Sequence, residues 1–348
     1  MDGLLVVDKP VGPTSHDVVA RVRAALGEPR VGHTGTLDPG ASGVLPLVIG
    51  RATRLARFLS SARKGYDAVV CLGVSTDTFD AAGRVSGPAH PGPLPDRAAI
   101  ERALDGCRGT FLQQPPAFSA KKIGGRRSHR IARARRDVAG PPRSGAEGAA
   151  EATPLPSPVS VTAYAIEVVG VDAARVSLRI ECSAGFYVRS LAHDLGRALG
   201  IGGHLASLRR TRSGDFTLAD AVSVEDILRD GDAARAALVP LARMLPGVTA
   251  LRLTADGARR ARHGGDLGPA DFVSTGSARS FWGTAGAPGA PGAPGAPGTD
   301  AGDGADQGRG SPGRSEGCFR LVGPDGDLVG LAEPTDTPGL LHPAVILM

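Results

Sequence analysis

A glycine-rich loop that runs directly into a long apolar segment is the feature that most constrains the fold of this chain. The stretch HTGTLDPGASGVLPLVIG occupies residues 33–50, and its only carboxylate is Asp38. The following proline disfavours helical backbone angles at Asp38, and the surrounding glycines permit tight turns. The apolar run from Val44 to Ile49 is typical of a buried strand. The sequence therefore predicts one aspartate on a stiff, exposed loop before a core strand, where catalytic groups concentrate.

Two other interpretations of this loop have to be weighed. An Asp-Pro turn before a core strand is common and by itself needs no function. A phosphate-binding loop is the other, but the Gly-Lys-Ser/Thr that such a loop requires does not follow these glycines. The loop becomes informative only together with motifs elsewhere in the chain.

The charge balance suits a polyanionic partner without requiring one. The 348 residues carry a formal net charge of +5, and the only lysines are Lys9, Lys64, Lys121 and Lys122. Guanidinium groups are well adapted to bidentate phosphate contacts and to stacking on bases. The same arginine bias, with the abundant alanine and glycine, is equally typical of a protein from a GC-rich genome.

The cysteines and the lack of long apolar segments disfavour several classes of protein. The four cysteines are far apart and form no Cys-x-x-Cys pair, so neither a zinc site nor a disulfide framework is indicated. No apolar run approaches the length that spans a bilayer, and the N-terminus has no signal-peptide pattern. We therefore expect a cytoplasmic protein with no metal and no membrane partner.

The pattern of elements predicts two domains, 1–245 and 248–348. The clearest predicted elements are strands at 4–7 and 66–74, two strands around a turn within 159–182, a helix that Thr14 and Ser15 can cap, a helix capped by Asp96, helices after Tyr187 and near 223–229, and a hairpin at 318–333 with PDGD at its turn. Residues 139–158 have the composition of a flexible insertion. Residues 270–316 contain Gly-Ala-Pro repeats and are predicted to be a disordered insertion within a small β-rich module.

A strongly basic stretch follows a proline-stiffened segment. KKIGGRRSHRIARARR, residues 121–136, carries eight basic side chains and no acidic one. Such a run is most often a solvated face, but its attachment to an ordered segment predicts an arm that grips phosphates. The residues assigned to the RNA backbone are Lys121, Lys122, Arg126, Arg127 and Arg130. The segment LRRTRSGDF at 208–216 adds three arginines.

Three further side chains are candidate companions of Asp38. Tyr66 begins a predicted strand, and Tyr187 and Arg189 lie together in GFYVRSLAHDLG. An arginine near Asp38 would keep the carboxylate oriented, and a tyrosine offers a face for stacking on a base. The alternatives are ordinary ones: aromatic side chains at the edge of the core, and a surface ion pair of little energetic value.

Taken together, these motifs resemble the TruB family of tRNA pseudouridine synthases. The matching stretches are DKPVGPTSHDVV at 8–19, HTGTLDPGASGVLP at 33–46, GYDAVVCLGVSTDTFDAAG at 65–83, GFYVRSLAHDLGRALG at 185–200, the PP-x-x-SA-x-K element at 115–122 and LRRTRSGDF at 208–216. The resemblance implies an α+β pseudouridine-synthase catalytic fold over 1–245 with a mixed, mostly antiparallel sheet. It also implies a PUA-like RNA-binding module over 248–348.

The resemblance further implies isomerisation of the T-loop uridine 55 of tRNA to pseudouridine, without a cofactor. By motif position, Asp38 would be the nucleophile, Tyr66 would stack on the flipped base and Arg189 would pair with Asp38. The residues assigned to substrate binding are His33, Tyr66, Tyr187, Leu208 and Lys9, the last supporting the Asp38 loop. We expect the partner to be tRNA, bound through its T-arm, and the chain to be a monomer. The family usually has a tyrosine where this chain has His129, which affects the contact of the basic arm.

Two questions stay open at the level of sequence. A carboxylate can attack the sugar covalently or assist its deprotonation, and the residues do not distinguish these routes. A non-catalytic RNA-binding or tRNA-folding protein is the alternative class, although Asp38, Tyr66 and Arg189 are all intact and favour an enzyme. A tRNA-folding role can coexist with catalysis.

Overall fold

The computed structural model describes residues 1–139, 155–273 and 317–347. The strands are β1 (Gly3–Lys9), β2 (Val31–His33), β3 (Ala41–Ile49), β4 (Lys64–Leu72), β5 (Ser75–Thr76), β6 (Val85–Ser86), β7 (Gly109–Gln113), β8 (Lys122–Ile123), β9 (Arg126–Arg127), β10 (Val159–Asp172), β11 (Arg175–Cys182), β12 (Gly203–Ser213), β13 (Phe216–Thr217), β14 (Val222–Ser223), β15 (Ala250–Arg252), β16 (Phe319–Val322), β17 (Leu328–Pro334) and β18 (Leu341–Ile346). The α-helices are α1 (Ser15–Leu26), α2 (Ala56–Ser60), α3 (Arg97–Asp105), α4 (Ser128–Ala139), α5 (Val188–Ala198), α6 (Val224–Arg229), α7 (Gly231–Ala236) and α8 (Ala255–Arg262).

A ten-stranded sheet forms the larger part of the molecule. Its strand order is β14-β1-β3-β12-β4-β11-β10-β7, with β2 beside β3 and β13 beside β12. The pairs β1–β14 and β3–β12 are parallel, and the other pairs are antiparallel. The expected mixed, mostly antiparallel sheet is confirmed. Because β12 lies between β3 and β4, a late segment of the chain completes the centre of the sheet.

Local sequence rules account for the helix starts that were predicted. Thr14 caps α1, since its hydroxyl accepts from the amide of Asp17 while the Asp17 carboxylate accepts from the amide of Thr14. Asp96 caps α3 by accepting from the amide of Ala99. The predicted strand at 4–7 lies within β1, where every residue from Leu4 to Val7 is buried.

Apolar side chains form three clusters. The largest lies between one face of the sheet and the inner faces of α1, α3, α5, α6 and α7. A second joins the other face of β1 and β3 to the C-terminal strands through residues such as Leu4, Val48, Leu331 and Leu347. A third is the core of the C-terminal unit. The C-terminal unit therefore packs directly on the main sheet.

Two glycines allow backbone segments to approach more closely than other residues would. Gly43 of β3 has φ of +102°, and a Cβ there would lie 2.2 Å from the carbonyl oxygen of Arg210 on β12. Gly196 of α5 meets the chain before β12, where a Cβ would lie 2.2 Å from the backbone of Gly202. These close contacts pack β3 and α5 tightly against β12. Asp38 lies in the loop just before β3, and Arg189 lies on α5.

The C-terminal unit contains a four-stranded sheet in the order β15-β16-β17-β18, with α8 packed against β17 and β18. The predicted hairpin is confirmed: β16 and β17 are joined by a turn in which the amide of Gly323 donates to the carbonyl of Asp327. Among the residues that the structure describes, no helix combines the length and apolar character that crossing a membrane requires.

Most of the two predicted insertions lies outside the described residues, namely 140–154 and 274–316. The start of the second one is nevertheless ordered. Residues Pro269–Asp271 form a 3-10 turn, and Phe272 is buried in the core of the C-terminal unit. Residues up to Val273 thus belong to the packed unit, beyond the predicted boundary at 270, because the Phe272 side chain has a core to enter.

Candidate active site

The loop between β2 and β3 presents Asp38 on a firmly held backbone. The hydroxyl of Ser15 accepts from the amide of Leu37 at 2.8 Å and donates to its carbonyl at 3.0 Å. The ammonium of Lys9 donates to the carbonyl of Ala41 at 2.6 Å, and the Ala41 amide donates to the carbonyl of Asp38 at 3.0 Å. The Asp38 side chain remains 46% exposed. The carboxylate is therefore accessible while its backbone is held from both sides.

Arg189, near the start of α5, is the partner of this carboxylate. Its Nε lies 2.9 Å from Oδ2 of Asp38, and one terminal nitrogen lies 3.6 Å from Oδ2 of Asp80. The two terminal nitrogens also donate to the carbonyls of Thr78 and Phe118, at 3.1 and 2.9 Å. With only 8% of its side chain exposed, Arg189 is not a surface ion pair. The geometry brings together the two groups that the sequence predicted to be paired.

The turn that carries Asp80 was not singled out from the sequence. Asp80 accepts from the hydroxyl of Thr78 at 2.6 Å and from the amide of Ala82 at 3.0 Å. Phe79 has φ of +64°, an outlying conformation for a bulky residue. Its ring stacks on that of His193, one turn after Arg189 on α5, with centroids 3.8 Å apart. Helix α5 therefore contacts this strained turn twice, through Arg189 at the carbonyl of Thr78 and through His193 at the ring of Phe79.

Tyr66 and Tyr187 are the two tyrosines assigned to the site from the sequence. Tyr66 is 8% exposed on β4, and burial raises the pKa of its hydroxyl, although the Arg210 guanidinium opposes that rise. Tyr187 precedes α5, and its backbone amide and carbonyl both bond to the side chain of Gln113. Burial also raises the Tyr187 pKa. In both cases Asp38 is close enough to contribute to the increase.

His33 and Leu208 adjoin the Asp38 loop. His33 ends β2, and burial lowers its pKa with a further contribution from His16, whose ring meets it edge-on at 5.3 Å. Its Nδ1 is buried and has no hydrogen-bond partner among the described residues. Leu208 of β12 lies between Ala41 of β3 and Ala68 of β4. The structure thus places both residues next to strands that carry the site.

Lys9 is completely buried, as a supporting residue should be. Burial lowers the pKa of its ammonium group, and Asp38 opposes that change. Its contacts are to the carbonyls of Pro10 and Ala41. Lys9 therefore supports the backbone of the Asp38 loop. Among the described residues, its ammonium group makes no hydrogen bond to the Asp38 carboxylate.

The three arginines of 208–216 are engaged within the protein and do not extend the basic arm. Arg209 pairs with Asp8 at 2.7 Å, and Arg212 pairs with Glu181 at 2.9 Å. Arg210 is fully buried and donates to the carbonyls of Val44, at 2.6 Å, and Gly35, at 3.1 Å. A run of basic residues in one strand predicts a solvated face. The sequence therefore gave no indication that Arg210 is buried beneath the Asp38 loop.

The predicted basic arm is a short hairpin of β8 and β9 followed by α4. Lys121, Arg126, Arg127 and Arg130 are exposed, and the arginines make no ion pair with any described residue. The side chain of Lys122 lies outside the described part of the structure. The four residues therefore offer charge to a partner.

The base of the arm is attached to the candidate site. Nδ1 of His129 lies 3.1 Å from the carbonyl of Ser119, and the Ser128 hydroxyl donates to the carbonyl of Ala117. The adjoining carbonyl of Phe118 accepts from Arg189. His129 thus holds the start of α4 against the backbone of Ser119, just before the arm. The arm and the Asp38 pair consequently share one support.

No group of histidine, cysteine and carboxylate side chains in the described ranges is arranged to hold a metal ion. The described cysteines are all free thiols, with Cys182 and Cys318 buried.

Family models match most of the larger domain. Residues 23–188 match the N-terminal domain of the TruB family of pseudouridylate synthases, and residues 189–246 match the C-terminal domain of tRNA pseudouridylate synthase B. The tRNA pseudouridine synthase B of Solibacter usitatus is 42% identical over 276 residues, which are 79% of this chain and 88% of that protein. The enzyme of the same name from Thermobifida fusca is 41% identical, over 77% of this chain and 87% of that one.

Solved structures share the fold across nearly the whole chain. A chain of a Cbf5-Nop10-Gar1 complex aligns with a TM-score of 0.65 and 25% identity, covering 99% of this chain and 85% of the other. A chain from an H/ACA RNP bound to a substrate RNA aligns with a TM-score of 0.64 and 23% identity, which supports the fold alone.

Proposed function

The chain belongs to the TruB family of pseudouridylate synthases, and from that premise we propose that it converts uridine 55 in the T-loop of tRNA to pseudouridine with Asp38 as the essential carboxylate. Synthesis of pseudouridine in tRNA follows from the family and from relatives above 40% identity. The observation that carries the assignment of the site is the contact at 2.9 Å between buried Arg189 and half-exposed Asp38.

The reaction needs little beyond what this site offers. The bond between C1′ and N1 breaks, the uracil turns, and a bond forms between C1′ and C5. The C5 proton leaves and N1 gains one, so there is no net redox change and no group is transferred. Asp38 acts at the sugar, by attack at C1′ or by removal of a sugar proton. Arg189 orients the carboxylate and balances its charge in either route.

The neighbouring side chains would receive the nucleotide. A uridine inside a folded loop must be flipped out of its stack to reach Asp38. The Tyr66 ring offers it a stacking surface, while His33, Tyr187 and Leu208 line the pocket. Lys9 keeps the Asp38 loop in place through the carbonyl of Ala41.

Exposed basic side chains would hold the rest of the T-arm. Lys121, Lys122, Arg126, Arg127 and Arg130 contact backbone phosphates, which give affinity without reading sequence. The C-terminal β unit serves as a PUA-like RNA-binding module. Its packing against β1 and β3 keeps it at a fixed position relative to the site.

The test uses a tRNA transcript with tritium at C5 of its uridines. We expect the purified chain to release tritium from one position per tRNA, which chemical mapping assigns to residue 55. A transcript with cytidine at 55 is the control and should release none.

Asp38→Asn keeps the shape of the side chain and removes its charge, so we expect no release and tRNA binding within about threefold of the original in a filter assay. Modification at another residue would refute the choice of uridine 55. Turnover by the pure Asn variant would refute the role of Asp38.

A further inference from the structure

The turn that carries Asp80 contains a residue in an unfavourable conformation. Phe79 has φ of +64°, in the left-handed region that bulky side chains rarely adopt. Its amide donates to the carbonyl of Thr76 at 3.2 Å, and its carbonyl accepts from the amide of Leu205 at 2.9 Å. A backbone angle of this kind persists only where surrounding contacts hold it, and such residues concentrate at functional sites. The neighbours of this turn therefore indicate what depends on its conformation.

The bend at Phe79 turns two acceptors toward Arg189. The carbonyl of Thr78 accepts from one terminal nitrogen of the guanidinium at 3.1 Å, and Oδ2 of Asp80 lies 3.6 Å from the same nitrogen. The Thr78 hydroxyl donates to Oδ1 of Asp80 at 2.6 Å, so the two acceptors are tied together. Nε of that guanidinium lies 2.9 Å from Asp38. Because the guanidinium is planar and rigid, holding its terminal nitrogen also fixes the direction of Nε.

The ring of Phe79 is held by α5 itself. It stacks on the imidazole of His193, with centroids 3.8 Å apart and an interplanar angle of 9°. His193 follows Arg189 by four residues, so the two side chains lie on the same face of the helix. Nδ1 of His193 is buried and has no hydrogen-bond partner among the described residues. His193 therefore contacts the turn through the face of its ring, and burial lowers its pKa, which favours the neutral ring.

We infer that the stack of His193 on Phe79 is a clamp that positions Arg189 for the reaction. The clamp keeps the left-handed turn packed on α5, so that Thr78 and Asp80 hold the guanidinium in the orientation that Asp38 needs. This role rests on the proposed function, because it concerns the step in which Asp38 acts. His193 and Phe79 are positioning residues, which act through Arg189 and not on the uridine.

A second ring contact in the same apolar core provides a matched control. Phe111 on β7 meets Phe186 edge-on, with centroids 6.2 Å apart. Both rings belong to the largest apolar cluster, but neither is part of the turn at residues 76–80. Removal of the Phe111 ring should therefore lower the stability without changing the orientation of Arg189.

Single-turnover rates at saturating tRNA test the clamp, with folding checked by urea unfolding. His193→Leu removes the flat ring and should lower the rate about tenfold, whereas His193→Phe keeps a stacking ring and should stay within about twofold of the original. Phe111→Leu should lower the stability and leave the rate within about twofold. A normal rate for His193→Leu, or an equally slow His193→Phe, would overturn the inference.

Phe79→Gly decides the question even if His193→Leu does not fold. Glycine adopts positive φ without strain, so this variant keeps the backbone conformation available and removes only the ring. We expect a rate about tenfold lower, with little further loss when His193→Leu is added, because both changes break the same contact. A normal rate for Phe79→Gly, or losses that multiply in the double variant, would overturn the inference.

Proton NMR observes the stack without any turnover. The chain has eight histidines, and the imidazole signal that disappears in His193→Phe belongs to His193. The Phe79 ring should shield that proton and move its signal upfield, and Phe79→Gly should move it back. An unshifted signal, or one that Phe79→Gly leaves in place, would overturn the inference. A chain that shows the upfield signal and yet makes no pseudouridine would instead refute the proposed function.

Discussion

Two groups of arginines in this chain are used in opposite ways. Arg189 and Arg210 are buried and bound to backbone carbonyls, so their planes cannot move. Arg126, Arg127 and Arg130 are exposed on a hairpin and a short helix start. The two buried arginines hold neighbouring groups in fixed positions, and this depends on the planar shape of the guanidinium. The three exposed arginines contribute positive charge, which a lysine could also contribute. Exchanging arginine for lysine should therefore separate catalysis from binding.

The largest effect is expected for Arg189→Lys. A single ammonium cannot hold Asp38 and the carbonyls of Thr78 and Phe118 together, so we expect the rate to fall about 100-fold or more. The unmatched carbonyls should lower the free energy of unfolding by about 1–3 kcal/mol. Tritium release measures the rate, and urea unfolding measures the free energy of unfolding.

Arg179→Lys is the matched control for that exchange. Arg179 is 59% exposed and pairs with Glu167 and Asp67. Its exchange should change the unfolding free energy by less than about 0.5 kcal/mol and leave the rate unchanged. A near-normal rate for Arg189→Lys would remove the distinction between the two groups.

The second effect concerns the exposed group. Replacing Arg126, Arg127 and Arg130 with glutamine should weaken tRNA binding about 10- to 100-fold and lower the salt slope by about one unit for each lost phosphate contact. Replacing all three with lysine should preserve most of the slope. Filter binding at several salt concentrations measures both.

Arg229→Gln with Arg235→Gln provides the control for the exposed group. These arginines are paired with Asp226 and Asp232, so their loss should not alter the slope. If the triple glutamine variant also keeps its slope, the hairpin is a solvated face and not a binding surface.

A smaller effect is expected from the buried cation Lys64. Burial lowers its pKa from 10.5 to about 8. Between these values the unfolded chain binds more protons than the folded one, so stability rises with pH in that window. From pH 7.5 to 9 the original chain should gain about 1 kcal/mol relative to Lys64→Met. Urea unfolding at both pH values measures the difference, and a constant difference would contradict the lowered pKa.

The smallest effect is expected from shortening the segment 274–316. It contains Arg279, Arg309 and Arg314 but also four acidic residues, so it adds no positive charge for phosphates. Its Gly-Ala-Pro composition offers little apolar surface to bury. A Gly-Ser linker in its place should change the rate and affinity by less than about twofold. Misfolding or a much slower rate would show that the segment has a structural or catalytic part.

Local patterns predicted the parts of the fold that depend on neighbouring residues. The Thr14 and Asp96 caps, the buried strand at 4–7 and the hairpin at 318–333 each follow from short-range rules. The position of Asp38 followed from its proline and from the apolar run after it. Its pairing with Arg189 followed from the resemblance, since nothing local connects residues 151 positions apart.

The parts that were missed depend on contacts between distant strands. Arg210 appears in a basic run and becomes buried only because β12 lies between β3 and β4. Asp80 reaches Arg189 through a turn in which Phe79 takes a backbone angle that propensities disfavour. Phe272 is ordered because the C-terminal core receives it. Each is a tertiary effect that overrides the local preference.

Strand β12 is synthesised well after the two strands that it joins, and this affects folding of the protein during translation. Until residues 203–213 have been made, β3 and β4 lack the strand that joins them, and the loop of Asp38 lacks the guanidinium that spans it. From the completion of β4 at Leu72 to the completion of β12 at Ser213, the nascent chain therefore carries two unprotected strand edges, a state prone to wrong pairing. Chains that terminate early should be inert and dependent on chaperones, because a competent pocket is assembled only in the last steps of making the larger domain.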